Sequence, residues 1–97
     1  MLFAFLCTDK PGCLQVRLDN RPAHVAWLNR LNDAGQLKFA GPFLGEDNKS
    51  TGSLVVVVAD DLAAAQALAA EDPYAKALLF EKTEVKAWNW VFNNPEA

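Results

Sequence analysis

Two segments of the chain are apolar on both of their alternating faces: LFAFLCT at residues 2–8 and GSLVVVVA at residues 52–59. A strand sends successive side chains to opposite sides of its sheet. A strand that is apolar on both sides must therefore be covered on both sides. Seven or eight residues suit a strand and are short for a helix. Any fold open to this chain needs a sheet with two protected faces.

The remaining pattern supplies cover for one of them. Residues 9–13, DKPGC, hold Pro and Gly and read as a turn. Residues 14–33 are helical in pattern. Asn20-Arg21-Pro22 lies inside that run and reads as a helix restart, with Asn20 or Arg21 near the cap and Pro22 in the first turn, where a missing N–H does no harm. Ala34-Gly35 closes the helix, the glycine serving as a left-handed cap. Residues 37–44, LKFAGPFL, form a second strand, and Pro42 assigns it to a sheet edge. GEDNKST, 45–51, is a polar hairpin loop before the strand at 52–59. Asp60-Asp61 starts a second helix, LAAAQALAAE, which Pro73 ends. A short helical turn, PYAKALL, leads into a last strand at about 80–92, FEKTEVKAWNWVF.

The order is β-α-β-β-α-β. Right-handed crossovers then give an α+β, ferredoxin-like fold: a four-stranded antiparallel sheet with both helices on one face. The other face is left open. In the last strand Thr83, Val85 and Ala87 point one way, and Trp88, Trp90 and Phe92 the other if the alternation is unbroken. Exposing that face would create a large apolar patch. A second copy packed sheet to sheet through Trp88, Trp90 and Phe92 is the simplest cover. The alternative is a bulge near Trp88 that turns these aromatics inward.

Composition fits a surface in need of cover. The chain has 97 residues, the size of one domain spanning 1–97, and 52% of them are apolar, with three Trp. The net charge is −3 and the nine Lys and Arg are scattered, so no basic footprint exists for nucleic acid or an anionic membrane. MLFAFLC at the N-terminus is too short for a signal peptide or a membrane span. A cytoplasmic protein is expected. Cys7 and Cys13 are six apart, which is no CxxC motif, and read as a buried thiol and a loop thiol.

One histidine occurs in the chain, in RPAHVAWL at 21–28. On a helix His24, Trp27, Leu28 and Leu31 share a face, so His24 is in line with the apolar stripe. It is either a histidine packed at the core edge or an acid–base group sheltered from water. A base of this kind has an orienting partner. Asp72, in EDPY, sits at the chain reversal after the second helix. As the residue before Pro73 it reads as a helix cap. One carboxylate oxygen can cap while the other reaches a histidine. Arg17 and Arg21 are either solvated charges or an anion clamp. Gly41-Pro42 is either an edge irregularity or backbone brought close to a ligand. Ser53 could line a pocket from the third strand. No phosphate loop, nucleophile elbow or metal cluster is present.

Arg17, Arg21-Pro22-Ala23-His24, Gly35, Ala40-Gly41-Pro42, Gly52-Ser53 and Asp72-Pro73-Tyr74 occur in that order along nearly the whole chain. Together they resemble the YciI-like (YCII-related) family, and Lys86-Ala87-Trp88 fits its C-terminal strand. The resemblance implies a ferredoxin-like fold assembled as a dimeric α/β barrel. It also implies a pocket around a His–Asp pair, carried here by His24 and Asp72. One relative removes chloride from a chlorinated hydroxyhydroquinone, and structural cousins include muconolactone isomerases. The expectation is a homodimeric enzyme, free of cofactor and metal, moving protons on a small cyclic oxygenated acid or phenol. Arg17, Arg21, Gly41, Pro42, Ser53 and Tyr74 would then bind the substrate. Competing expectations are a non-catalytic binding module and a structural scaffold.

Overall fold

Alternation and turn chemistry set the elements. In the computed structural model, which describes residues 1–96, the first strand, β1, is Leu2–Asp9 and the first helix, α1, is Leu14–Asp33. A hairpin of β2, Leu37–Leu44, and β3, Ser50–Val58, follows. Then come α2, Leu62–Ala70, the short α3, Pro73–Lys76, and β4, Phe80–Trp88. The strands pair antiparallel in the order β2-β3-β1-β4. This is the expected ferredoxin-like arrangement, and Pro42 does lie on an edge strand.

Register decides which side chains face the helices. Cys7 pairs with Thr83 and Ser53, Phe5 with Val85 and Val55, and Phe3 with Ala87 and Val57. Phe3, Phe5, Cys7, Val55 and Val57 form the core with Trp27 and Leu31 of α1 and Ala65 and Ala69 of α2. The two alanines let α2 approach the sheet closely. Gly52 serves the same end within the sheet: a Cβ there would overlap the Cys7 carbonyl oxygen.

The helix termini follow the residues. Gly35 takes a φ of +74° just beyond α1, a value that favours glycine. The Asp61 carboxylate caps α2 by accepting from the Ala64 N–H at 2.8 Å. Two expectations need correction. Pro22 does not restart a helix; α1 runs unbroken through it. An interior proline leaves the carbonyl four residues earlier without its partner, at a cost of about 3 kcal/mol. Here that carbonyl belongs to Leu18, whose side chain is exposed, as Pro22 is, so water can serve it. Arg17 on one side of Pro22, and His24, Trp27 and Leu31 on the other, are buried. Both halves of α1 are thus held to the sheet.

The second correction concerns the C-terminal aromatics. β4 ends at Trp88, not near residue 92. Trp88 pairs with Leu2 and so points to the face without helices, as expected. Trp90 does not continue a strand. Its ring lies edge-on to Phe39, with centroids 5.1 Å apart, and the Trp88 ring does the same at 5.7 Å. Phe39 and Trp88 belong to opposite edge strands, so their rings lean toward each other across the two central strands. Val56 and Ala4, on that face, are accordingly buried. Lys38 ties the tail down through Glu96, Nζ to Oε2 2.6 Å. Phe92 is beyond the strand and 83% exposed.

Cys7 is the core residue with a titration to report. Burial pushes its thiol from 9.0 up to about 12. The folded chain keeps a proton that the unfolded chain gives up, so stability is whole below the unfolded value and falls as pH rises from about 9 to about 12. The slope is at most about 1.4 kcal/mol per pH unit. Urea unfolding across this range should show a steeper loss in the native protein than in Cys7→Ala.

Candidate active site

Along α1 one stripe carries Arg17, Leu18, Arg21, His24, Val25 and Leu28, at the three- and four-residue steps of a single helix face. This stripe faces Ala40, Gly41 and Pro42 of β2 and Ser53 and Val55 of β3 across a cavity of about 230 Å³. Tyr74 of α3 completes the wall. A cavity of about 150 Å³ takes benzene, so this one has the volume for a single substituted ring.

His24 is 8% exposed and Asp72 only 2%. His24 Nδ1 is 2.7 Å from Asp72 Oδ1. The same oxygen accepts from the Tyr74 N–H at 2.9 Å, which caps α3, with Pro73 in the position that needs no donor. The expectation of one oxygen for each task is therefore corrected: a carboxylate oxygen has two lone pairs, and Oδ1 uses both. The sharing locks the carboxylate to its own backbone and aims it at the imidazole. The Tyr74 ring stacks on the histidine, centroids 4.0 Å apart and planes 16° from parallel. With Nδ1 and the ring plane held, Nε2 is the nitrogen left for exchange.

Arg17 is buried, 5% exposed, and fully engaged on one side. Its Nε donates to Asp9 Oδ2 at 2.7 Å and its Nη2 to Asp9 Oδ1 at 2.8 Å, a bidentate pair. Nη2 also donates to Ser53 Oγ at 2.9 Å. The guanidinium carbon is 4.6 Å from the centroid of the Tyr74 ring. Burial by itself would lower the Arg17 pKa, but the Asp9 carboxylate outweighs it and the net direction is upward, so the charge persists. Burial also pushes the Tyr74 phenol above its ordinary value, against the opposing pull of Arg17 and Arg21. The phenol stays protonated at neutral pH. Arg21, by contrast, is exposed and has no ion-pair partner among the described residues.

All eight residues expected at the site thus lie in or against one cavity: seven line it, and Asp72 stands behind His24. Asp9 was missed. Beside Lys10, Pro11 and Gly12 it reads as part of the turn at 9–13, yet it extends the inward alternation Phe3, Phe5, Cys7, Asp9. A charge continuing an apolar face was the signal available. Leu18 and Val25, apolar but exposed on the cavity stripe, were missed as well. Among the described residues no three His, Cys, Asp or Glu side chains gather as a metal ion would require. Among the described residues no helix is long and apolar enough to cross a membrane.

A ferredoxin-like domain with a buried His–Asp pair at the wall of a one-ring cavity defines the class. The comparisons identify the family. The YCII-related domain matches residues 1–89, and the chain belongs to that family. Protein YciI of Escherichia coli O6:H1 is 41% identical, covering 95% of this chain and 100% of that protein. An uncharacterized protein of Haemophilus influenzae is 35% identical with the same coverage. Among solved structures, 5-chloro-2-hydroxyhydroquinone dehydrochlorinase (TftG) from Burkholderia phenoliruptrix AC1100, in complex with 2,5-dihydroxybenzoquinone, matches with a TM-score of 0.85. It is 36% identical, over 97% of this chain and 99% of that one.

Removing the carboxylate from a buried ion pair leaves a charge stranded. Asp9→Asn should lower stability by about 3–5 kcal/mol, measured by urea unfolding at pH 7. A loss under about 1 kcal/mol, the range of an exposed pair, would mean that water reaches Arg17.

Proposed function

We propose that the protein is a small-molecule enzyme that moves a proton on a cyclic, oxygen-rich acid or phenol, with His24 as the acid–base group and Asp72 as its orienting partner. The observation that carries this reading is the 2.7 Å contact between His24 Nδ1 and a carboxylate that is itself fixed by its own backbone. Asp72 accepts from Nδ1–H and sets the tautomer, so Nε2 presents a lone pair. Nε2 takes a proton from the substrate, and Asp72 stabilises the imidazolium that forms. The electron pair left behind either shifts along the ring, with the proton returned at another atom, or expels a leaving group such as chloride. The first outcome is an isomerisation, the second an elimination. Tyr74, Ser53 and the backbone at Gly41 and Pro42 bound the substrate, and Arg17 and Arg21 bind its oxygens. The name of the dehydrochlorinase relative, and the benzoquinone bound to it, support this class of substrate. No step needs a cofactor or a metal.

General acid–base groups of this kind contribute about 10²–10⁴-fold to a rate. Chloride release from 5-chloro-2-hydroxyhydroquinone, and deuterium uptake from heavy water by small hydroxylated ring acids followed by NMR, test the reading directly. His24→Ala should lower turnover by about 10²-fold or more, with its melting temperature checked alongside. Turnover that survives His24→Ala would overturn the mechanism. No turnover with any of these compounds, together with tight binding, would leave a binding protein.

We propose further that two copies, in the cytoplasm, pack through the helix-free sheet face. Its centre is apolar, with Leu2, Leu6, Leu54 and Val58 only half-buried, and Phe43 and Trp88 are 41% and 38% exposed. Trp90 covers one end of this face and Phe92 is exposed beyond the strand, so the contact centres on Leu6, Leu54 and Phe43, beside the charged Lys82 and Lys86 edge. Sedimentation equilibrium should return twice the mass of the 10.6 kDa chain. Phe43→Glu should return one.

A further inference from the structure

The two arginines of the cavity are not equivalent, and the difference dictates what the cavity can take. Arg17 is deep and already neutralised by the Asp9 carboxylate. Of its five N–H donors, three are used on Asp9 and Ser53. The two on Nη1 are taken by neither Asp9 nor Ser53. They can hold an oxygen, but the net charge behind them is close to zero. Ser53 Oγ accepts from Arg17, so its own hydrogen is free to donate. The deep end of the cavity is therefore a set of donors without net charge, suited to a carbonyl or hydroxyl oxygen.

Arg21 is at the mouth. It lines the cavity, is exposed, and has no carboxylate partner among the described residues. The phenol of Tyr74, whose charged form Arg21 would favour, is kept protonated by burial and does not neutralise it. With Arg17 matched to Asp9, and Asp72 given over to His24, Arg21 is the one cation of the wall with its charge unspent. Residues three apart on a helix have Cβ atoms about 5–6 Å apart. A substituent held by Arg21 thus leaves the body of a single ring against His24.

We propose, taking this cavity as the substrate site argued above, that it selects ligands with one negative charge, held at the mouth by Arg21, and an uncharged oxygen at the deep end, held by Arg17 and Ser53. The substrate class is then a ring monocarboxylate, or a mono-ionised enol or phenol, with a hydroxyl or oxo group across the ring. A dianion is disfavoured because its second charge meets no free cation and lies near the Asp9 and Asp72 carboxylates. A neutral diol is disfavoured because it leaves Arg21 unmatched.

Three para-disubstituted benzenes of one shape test this by calorimetric titration at pH 7: hydroquinone, 4-hydroxybenzoate and terephthalate. They carry no, one and two negative charges. The 4-hydroxybenzoate should bind about tenfold or more tighter than either of the others, the range of a charged hydrogen bond. In Arg21→Gln this preference should vanish, and Arg21→Lys should keep part of it. Terephthalate binding as tightly as 4-hydroxybenzoate, or a preference that survives Arg21→Gln, would overturn the assignment while leaving the cavity a ligand site. If none of the three binds, this assignment falls, and chloride release and deuterium uptake decide separately whether the proton-transfer reading stands.

Discussion

The buried pair between Asp9 and Arg17 is the interaction on which the site depends. It joins the end of β1 to the first turns of α1, and Ser53 extends it to β3. Three elements are thereby fixed at one point. From there α1 runs as a rigid rod, and His24 is held seven residues on, about 10.5 Å along the axis at 1.5 Å per residue. Trp27 and Leu31 anchor the far half in the core. A charge pair removed from water contributes little net stability by itself. Its effect here is positional: the guanidinium fork and the carboxylate admit few relative orientations, so the helix can neither slide nor roll on the sheet.

Much of this was legible in the residues. Alternation located β1 and β3, Pro42 identified an edge strand, and Gly35 and the Asp61 and Asp72 caps marked where helices stop and start. Each of these signals is local, settled by one residue and its neighbours. Pro22 misled because a local rule met a tertiary one. A proline disfavours a helix interior by about 3 kcal/mol, and burial of residues on both sides overrides it. The C-terminal segment misled differently. FEKTEVKAWNWVF alternates well enough to continue β4, but Trp90 gains more by turning back onto Phe39 than by extending an edge strand with no partner. No local pattern records that choice, since Phe39 is fifty-one positions away.

The site was legible to a similar depth. His24 and Asp72 could be proposed as a pair from the chain reversal at Asp72 and the family resemblance, yet nothing in one dimension said that a single oxygen would serve both the cap and the imidazole. Asp9 was hidden by its neighbours. Lys10, Pro11 and Gly12 read as a turn, and an acidic residue beside them looked like part of it. Only the inward phase of Phe3, Phe5 and Cys7 argued otherwise. Charges at the end of an apolar face are easily dismissed as the boundary of the strand. Here the boundary residue is the one that neutralises Arg17 and leaves Arg21 to stand alone.

The same contacts narrow the chemistry. Covalent catalysis needs an activated nucleophile, and Ser53, Cys7 and Cys13 are each disarmed. Ser53 Oγ turns a lone pair toward the Arg17 cation, which makes it a poorer nucleophile and a better donor. Cys7 is in the core with its thiol pushed up to about 12, so the thiolate is scarce at neutral pH. Cys13 is at the start of α1, outside the cavity lining. Lining the cavity are one oriented imidazole, a protonated phenol, Ser50 and donors from Arg17, Ser53 and Arg21. That inventory can take up a proton, return it and steady the negative charge that develops between those events. These groups support the proposed proton transfer and the eliminations that follow from it.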